Sequence, residues 1–283
     1  MKLLGLGDNV FDAYLFRGEL YPGGNAANVS VLAKRAGAER AGYLGVLADD
    51  PAGRHFLSAL EAEGVETVRV RRALGRSACN FITLDETGDR VFSGNNGQET
   101  VQSLVRLALT AADRDYAAGF DVIHSSIHSG VNEFLPALSR RADLSMDFSN
   151  DGFTHVNVAA LAPLLRFAVF SSGGRPAEAM WDFLGFAAAS GAEEVVCTLG
   201  TQGACGISRG RRWQVPARLV KAEDALGAGD GFIAAFLTAF YGNGGDAPGA
   251  AERASQFAAG CCAGYGAFGH PFPIAESGLC FEA

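Results

Sequence analysis

Apolar residues recur along the chain in two alternating textures. Short, nearly unbroken runs at residues 3–6, 41–46, 121–125, 144–148, 167–170 and 194–199 predict strands buried on both faces. Longer, Ala-rich stretches at 25–35, 51–63, 132–141, 156–165 and 177–190 predict helices. In the first of these Ala26, Val29, Leu32 and Ala33 share one helical face, and Gly37 and Gly64 close the first two helices. Strands alternating with helices imply a parallel sheet covered on both sides, an α/β fold. Ligands of such a fold bind at the carboxyl ends of the strands.

Two regions break this alternation. Residues 78–92 contain two extended runs around Asp85-Glu86-Thr87-Gly88-Asp89, the pattern of a β-hairpin. Residues 14–21 and 68–73 are also strand-like and lack helical partners. An antiparallel patch of this kind is either a plain edge sheet or a lid that excludes water from the open end of a cleft. The expectation is a lid, built from segments at about 14–21 and 68–92. No repeat, low-complexity tract or Pro/Ser-rich linker divides residues 1–283, so one domain is expected.

Composition narrows the function classes. Hydrophobic residues make up 48% and charged residues 19%, enough apolar material for a core and incompatible with disorder. Lys+Arg 23 against Asp+Glu 31 gives a net charge of −8. That lacks the basic footprint of a nucleic-acid binder, so an anionic ligand must be caught by local dipoles or a few placed cations. The start, MKLLGLGDNVFD, reaches Asp8 too soon for a secretory signal, and the apolar run 232–241 falls short of the roughly 18 residues of a membrane span. Cys79, Cys197, Cys205, Cys261, Cys262 and Cys280 show no CxxC or zinc spacing and read as reduced, buried thiols. A cytoplasmic protein is expected.

The strongest chemical signal is Asp224-Ala225-Leu226-Gly227-Ala228-Gly229-Asp230-Gly231, which runs into the apolar stretch FIAAFLTAFY. Small residues let successive backbone amides face one point, and the following helix adds the positive end of its dipole: an anion hole. Asp230 stands beside it, where an ionised carboxylate can take a proton from a hydroxyl attacking phosphorus. The plainer alternative is an N-capping aspartate after a flexible turn. A second signal is Gly23-Gly24-Asn25-Ala26-Ala27-Asn28, preceded by Gly7-Asp8-Asn9 and Asp12, where glycines admit a ligand and Asn and Asp can bond sugar hydroxyls. A turn with an Asn cap explains it equally well. Thr198-Leu199-Gly200-Thr201-Gln202-Gly203 either brackets a nucleotide or is a strand-to-hairpin turn. Gly5-x-Gly7 lacks the third glycine of a dinucleotide fingerprint, and there is no P-loop, HExxH or GxSxG. His124 and His128 read as core or cleft residues rather than metal ligands.

These elements together resemble the ribokinase-like (PfkB) carbohydrate kinases over essentially the whole chain. DALGAGDGF, GGNAAN, TLGTQG and the hairpin occur in the family's order. The GDNVFD start, YPGGNAANVSV, HSSIH and SMDFSN look most like the fructoselysine 6-kinase branch. The resemblance implies a doubly wound, three-layer α/β domain with a small inserted β-sheet lid. It implies ATP-dependent phosphorylation, with Mg2+, of a terminal hydroxyl of a sugar or fructosamine. Carried over position by position, Asp230 matches the general base and Gly227, Ala228 and Gly229 the anion hole. Asp12, Gly24, Asn25 and Asn28 match the sugar-binding positions, and Thr198, Gly200 and Gly203 the nucleotide-side turn. Asp224 and the Leu226 carbonyl match a K+ site completed by backbone near Ala263, Gly266 and Ala267.

The chain departs from the family twice. The usual Asp-Thr opening is Asp224-Ala225, and Ser171-Ser172-Gly173-Gly174-Arg175 stands where an Asn-x-x-Glu element organises Mg2+. Magnesium would then rely on ATP oxygens and waters, with Asp147 or Glu178 behind them. A ribose, nucleoside or other hexose kinase is the alternative within the family, and a non-catalytic sugar-binding regulator the alternative outside it. A fructosamine's amino-acid carboxylate would need a cation at the lid, for which Arg17, Arg71 and Arg90 are the candidates. Open lid edges are compatible with a homodimer.

Overall fold

Eight strands form the central sheet of the computed structural model, which describes residues 1–84, 86, 90–150 and 153–279, the side chains of Leu84 and Arg90 excepted. In chain order the strands are β1 (Lys2–Leu6), β2 (Val10–Tyr14), β3 (Glu19–Gly23), β4 (Arg40–Leu44), β5 (Val46–Ala48), β6 (Arg71–Ala73), β7 (Cys79–Leu84) and β8 (Arg90–Asn95). They continue as β9 (Val122–Ser126), β10 (Asp143–Asp147), β11 (Phe167–Ser171), β12 (Glu194–Thr198), β13 (Ala204–Ser208), β14 (Arg211–Val215) and β15 (Phe272–Pro273). The helices are α1 (Asn25–Arg35), α2 (Pro51–Ala62), α3 (Val101–Leu104), α4 (Ala111–Ala117) and α5 (Leu135–Leu138). After them come α6 (His155–Leu161), α7 (Ala177–Ala189), α8 (Ala228–Gly242) and α9 (Ala247–Cys261).

The central sheet has the order β14-β13-β12-β11-β10-β9-β1-β4. Every neighbour from β4 to β12 is parallel, and β13 and β14 close the far edge antiparallel. Along the parallel strands apolar residues alternate between two cores. Leu3, Val122, Phe167 and Val196 pack beneath α1, α2, α8 and α9, while Leu4, Ile123, Ala168 and Val195 face α4 to α7. This is the three-layer arrangement expected from the unbroken apolar runs.

The lid is a five-stranded sheet of order β15-β3-β2-β7-β8. Its hairpin β7–β8 lies where the sequence predicts it, with turn residues Asp85 and Thr87, Gly88 and Asp89 outside the described residues. One lid segment is corrected: Arg71–Ala73 pairs with Val46–Ala48 in a separate two-stranded sheet. The cause is Asp113, buried in a capping box with Thr110 at the head of α4, which holds both Arg69 and Arg71. The helix expected at 132–141 shrinks to one turn, Leu135–Leu138, after a 3-10 turn at Asn132–Phe134. Pro136 is tolerated only in a first turn, which places the start of the helix at Leu135 and leaves few residues before β10.

One close approach positions everything at the carboxyl edge. A Cβ on Gly5 of β1 would lie 2.1 Å from Ser30 Oγ and 2.2 Å from the Ala26 carbonyl oxygen. Glycine there lets α1 rest directly on the sheet, where Ser30 Oγ donates to the carbonyls of Ala26 and Gly42. Gly5→Ala should lift α1 and destabilise the protein by about 1–3 kcal/mol, the usual range for overpacking a core. Urea unfolding of the purified variant checks this, and an unchanged midpoint would show that α1 has slack the contacts do not suggest.

Candidate active site

α1 and α8 pack against each other, and their amino ends meet at the carboxyl edge of β1, β9 and β10. The chain turns into α8 through Gly227, whose φ of 78° is left-handed and whose added Cβ would meet Ala267 Cβ at 2.4 Å. The Ala228 amide donates back to the Ala225 carbonyl at 3.2 Å, and the first helical bond is Gly231 N to the Gly227 carbonyl. The amides of Gly229 and Asp230 precede that bond and remain for a ligand. Of the amides expected over 227–229, that of Ala228 is engaged by the turn, while those of Gly229 and Asp230 make no backbone bond among the described residues.

Asp230 sits half-buried in the first turn of α8. Asn25 Nδ2 donates to its Oδ1 at 2.7 Å and Asn28 Nδ2 to its Oδ2 at 2.6 Å. The second hydrogen of Asn25 Nδ2 goes to Asp147 Oδ2, at the end of β10, at 2.8 Å. One side-chain amide thus bridges two carboxylates. Burial raises Asp230 to about 6 against the opposing pull of the two amides, and raises Asp147 to about 7 with the charges of Asp230 and Asp8 adding to it. Asn28 is buried, and its Oδ1 has no hydrogen-bond donor among the described residues.

Of the remaining sugar-side predictions, Gly24 caps α1 with φ 96°, and a Cβ there would strike Asn9 Cα at 2.5 Å. Asp8 completes the cap, accepting from the amides of Asn25 and Ala26 and from Ser126 and Ser129, so its carboxylate is spent on the fold. Asp12 on β2 faces Asn80 across the lid sheet, and burial raises it to about 7. On the nucleotide side, Thr198 ends β12 and Gly200 begins a 3-10 turn that Gly203 closes. A Cβ on Gly203 would lie 2.0 Å from the Val215 carbonyl oxygen, so that glycine is required by the hairpin itself. Next to this turn, Ser172 N donates to the Thr198 carbonyl, and Arg175 Nε donates to the Ser172 carbonyl.

At the expected K+ site, Asp224 already has protein partners. Asp224 is buried, and both its oxygens accept hydrogen bonds: Oδ1 from the Leu226 amide at 2.9 Å, Oδ2 from the Gly266 amide at 3.0 Å and from the Tyr14 hydroxyl. These bonds use the amides of Leu226 and Gly266 and leave the carbonyls named for the cation a separate matter, while Ala267 packs against Gly227. Tyr14 is itself held in a cluster with Tyr21, Ile82, Leu226 and Tyr265. Of the lid cations, Arg17 pairs with Glu19 and lies over the Tyr265 ring at 4.0 Å, while Arg71 lies outside the lid sheet and pairs with Asp113. The Arg90 side chain lies outside the described residues.

The sequence reasoning did not place Tyr14 in the site, nor give His124 a role; both lie far in sequence from the residues they touch. No group of three or more His, Cys, Asp or Glu side chains among the described residues forms a metal cage. The donor set suits Mg2+ nonetheless, because that ion keeps its waters and binds through one or two carboxylates plus substrate phosphates.

The geometry coincides with the comparisons. The family model for pfkB family carbohydrate kinases matches residues 11–153 and 179–273. The fructosamine kinase FrlD of Bacillus subtilis is 38% identical over 273 residues, covering 96% of this chain and 95% of its own. Fructoselysine 6-kinase of Escherichia coli is 32% identical over 239 residues, covering 84% and 88%. The fold is shared with aminoimidazole riboside kinase of Salmonella enterica, at a TM-score of 0.71 and 20% identity over 97% of this chain and 98% of that one. It is shared equally with a putative ribokinase II of Escherichia coli solved with ATP and Mg2+, at 0.75 and 19% over 98% and 95%. With a family model over most of its length and kinases for relatives, this chain belongs to the PfkB family of carbohydrate kinases.

Proposed function

We propose that this kinase transfers the γ-phosphoryl group of ATP to the terminal hydroxyl of a fructosamine, with Asp230 as general base. The observation that carries the reading is Asp230 in the first turn of α8, gripped by Asn25 and Asn28 beside the two open amides. Ionised above about pH 6, Asp230 accepts the hydroxyl proton as the oxygen attacks phosphorus. The amides of Gly229 and Asp230, at the positive end of the α8 dipole, hold the transferring phosphoryl oxygens. The turn at Thr198, Gly200 and Gly203 borders the nucleotide. Asp147 is the residue that would hold the waters of Mg2+, which when bound neutralises charge on the phosphates.

On the acceptor side, Asp12, Gly24, Asn25 and Asn28 bind sugar hydroxyls, the unpaired Oδ1 of Asn28 taking one of them. Asp8, Asp12, Asp147 and Asp230 act on one another electrostatically, and no Lys or Arg is among the groups that shift Asp12, Asp147 or Asp230. Such a cleft repels an anionic acceptor and suits one whose reacting end is neutral and whose nitrogen is protonated. The two relatives named for fructosamine and fructoselysine fit this preference. Arg90, at the start of β8 in the lid sheet, is the cation assigned to the amino-acid carboxylate. The apolar side chains of Phe16, Val91 and Phe92 stand exposed on the lid, β8 is an edge strand, and pairing of two copies through it would cover them.

ADP release across a panel of acceptors tests this reading. Fructoselysine is expected to give a higher kcat/KM than fructose or ribose, and Asp230→Asn to lose on the order of 10²–10⁴ in rate with folding unchanged. Arg90→Ala should raise KM for fructoselysine and leave that for fructose nearly unchanged. A preference for plain ribose, or an Asp230→Asn variant with more than about a tenth of the wild-type rate, would overturn it.

The arrangement at Asp224 makes a second expectation. Rates in K+, Na+ and a bulky organic cation at matched ionic strength should agree, since Tyr14 occupies the carboxylate. Tyr14→Phe should lower the rate and make the residual activity responsive to K+. Selective stimulation of the wild type by K+ would contradict the arrangement.

A further inference from the structure

His124 is a fully buried histidine at the centre of β9, and nothing in the phosphoryl transfer outlined above uses it. Its Nε2 lies 2.8 Å from Asn25 Oδ1 and its Nδ1 2.9 Å from Ser145 Oγ on β10. The positions of the protons follow from donor and acceptor counting. When ionised, Asp230 and Asp147 can only accept, so the Asn25 atom facing both of them is the NH2 group, which has two hydrogens to give. Asn25 Oδ1 therefore faces His124, and an amide oxygen can only accept. Nε2 must carry the imidazole proton. Nδ1 is then the bare nitrogen, and it accepts from the Ser145 hydroxyl. Burial holds the imidazole neutral far below its ordinary range, so this is the one tautomer that satisfies the chain at neutral pH.

We propose that His124 is a positioning residue: as the neutral Nε2–H tautomer, its bare Nδ1 accepting from Ser145, it locks the Asn25 amide so that its NH2 serves Asp230 and Asp147 together. The proposal rests on the reading of Asp230 as base for its consequence in catalysis, but not for its geometry. Without the donor from His124, a half-turn of the Asn25 amide would present its oxygen to two carboxylates, and Asp230 would lose one of the two hydrogen bonds that favour its ionised form. The groups acting on Asp230 from the packed elements are Asn25 and Asn28 of α1, Asp8 of the β1–β2 loop, Asp12 of β2, Asp147 of β10 and Cys261 of α9. None of them replaces the lost hydrogen bond.

The test is the carboxyl titration of Asp230, followed by NMR of 13C-labelled aspartate in the full-length protein, with turnover measured in parallel. His124→Leu should move the Asp230 midpoint up by about one pH unit, the worth of one hydrogen bond to a charge. Turnover should fall on the order of 10–100-fold, as expected for a displaced catalytic group. His124→Gln, which can set an amide donor near the place of Nε2, should bring the midpoint back toward the wild-type value. If His124→Leu fails to fold, His124→Met supplies the same readout, because it too fills the site without a donor for Asn25 Oδ1. A midpoint that stays put in the folded variants while thermal stability falls would mean that His124 is core packing alone, and would overturn the proposal. Failure of the base assignment is seen separately, as high turnover by Asp230→Asn, and leaves the titration result standing.

Discussion

The packing of α1 along α8, with both amino ends at the carboxyl edge of the sheet, is the constraint on which the rest of the site depends. It is set by small residues: Gly5 lets α1 touch β1, and Ala26, Ala27, Ala234 and Ala235 are among the buried side chains of the core shared by the two helices. Once the helices are so placed, their dipoles converge on one point and favour negative charge there. Asp8 answers the α1 dipole by bonding two of its first amides. Asp230 sits at the head of α8, and its own amide and that of Gly229 are left over. A phosphoryl group is the kind of ligand such a point attracts.

That convergence carries an electrostatic cost. Asp12, Asp147 and Asp230 all have native pKa values raised above the ordinary carboxylate value, chiefly by burial. Between about pH 4 and 7 the folded chain therefore binds more protons than the unfolded one, and stability contributed at these sites grows as pH falls. Well above pH 7 the cluster is fully charged and weakens the fold most. A chain selected for stability alone would place amides or apolar residues there; in the proposed reaction these carboxylates serve proton transfer and ligand binding. The Asn25 amide moderates the cost by giving one hydrogen to each of two carboxylates, and His124 in turn holds that amide.

Much of this was legible in the sequence where a local rule applied. The parallel core could be read from unbroken apolar runs because both faces of each strand are buried. The place of Asp230 could be read because glycine and small residues before an apolar stretch set an acid at the head of a helix, although an N-capping turn fits the same pattern. What escaped was long-range. Asn25 meets His124 across 99 positions and Asp147 across 122, and Tyr14 reaches Asp224 across 210. No period or motif connects such residues, and an isolated Tyr or His reads as core. Arg71 was misplaced for the same reason: an extended, charged tripeptide does not disclose that a capped aspartate, Asp113, lies next to it in space.

In the proposed transfer the base is a half-buried Asp230, raised to about 6 and linked through Asn25 to Asp147 at about 7. The pH dependence of kcat/KM for the wild-type enzyme with fructoselysine, taken with saturating ATP and Mg2+ from pH 4.5 to 8.5, measures it most directly. The account predicts a rate that climbs with pH through an apparent ionisation between about 6 and 7, shared by the coupled carboxylates, and then levels. A profile already flat at pH 5, as an ordinary exposed aspartate would give, would contradict it.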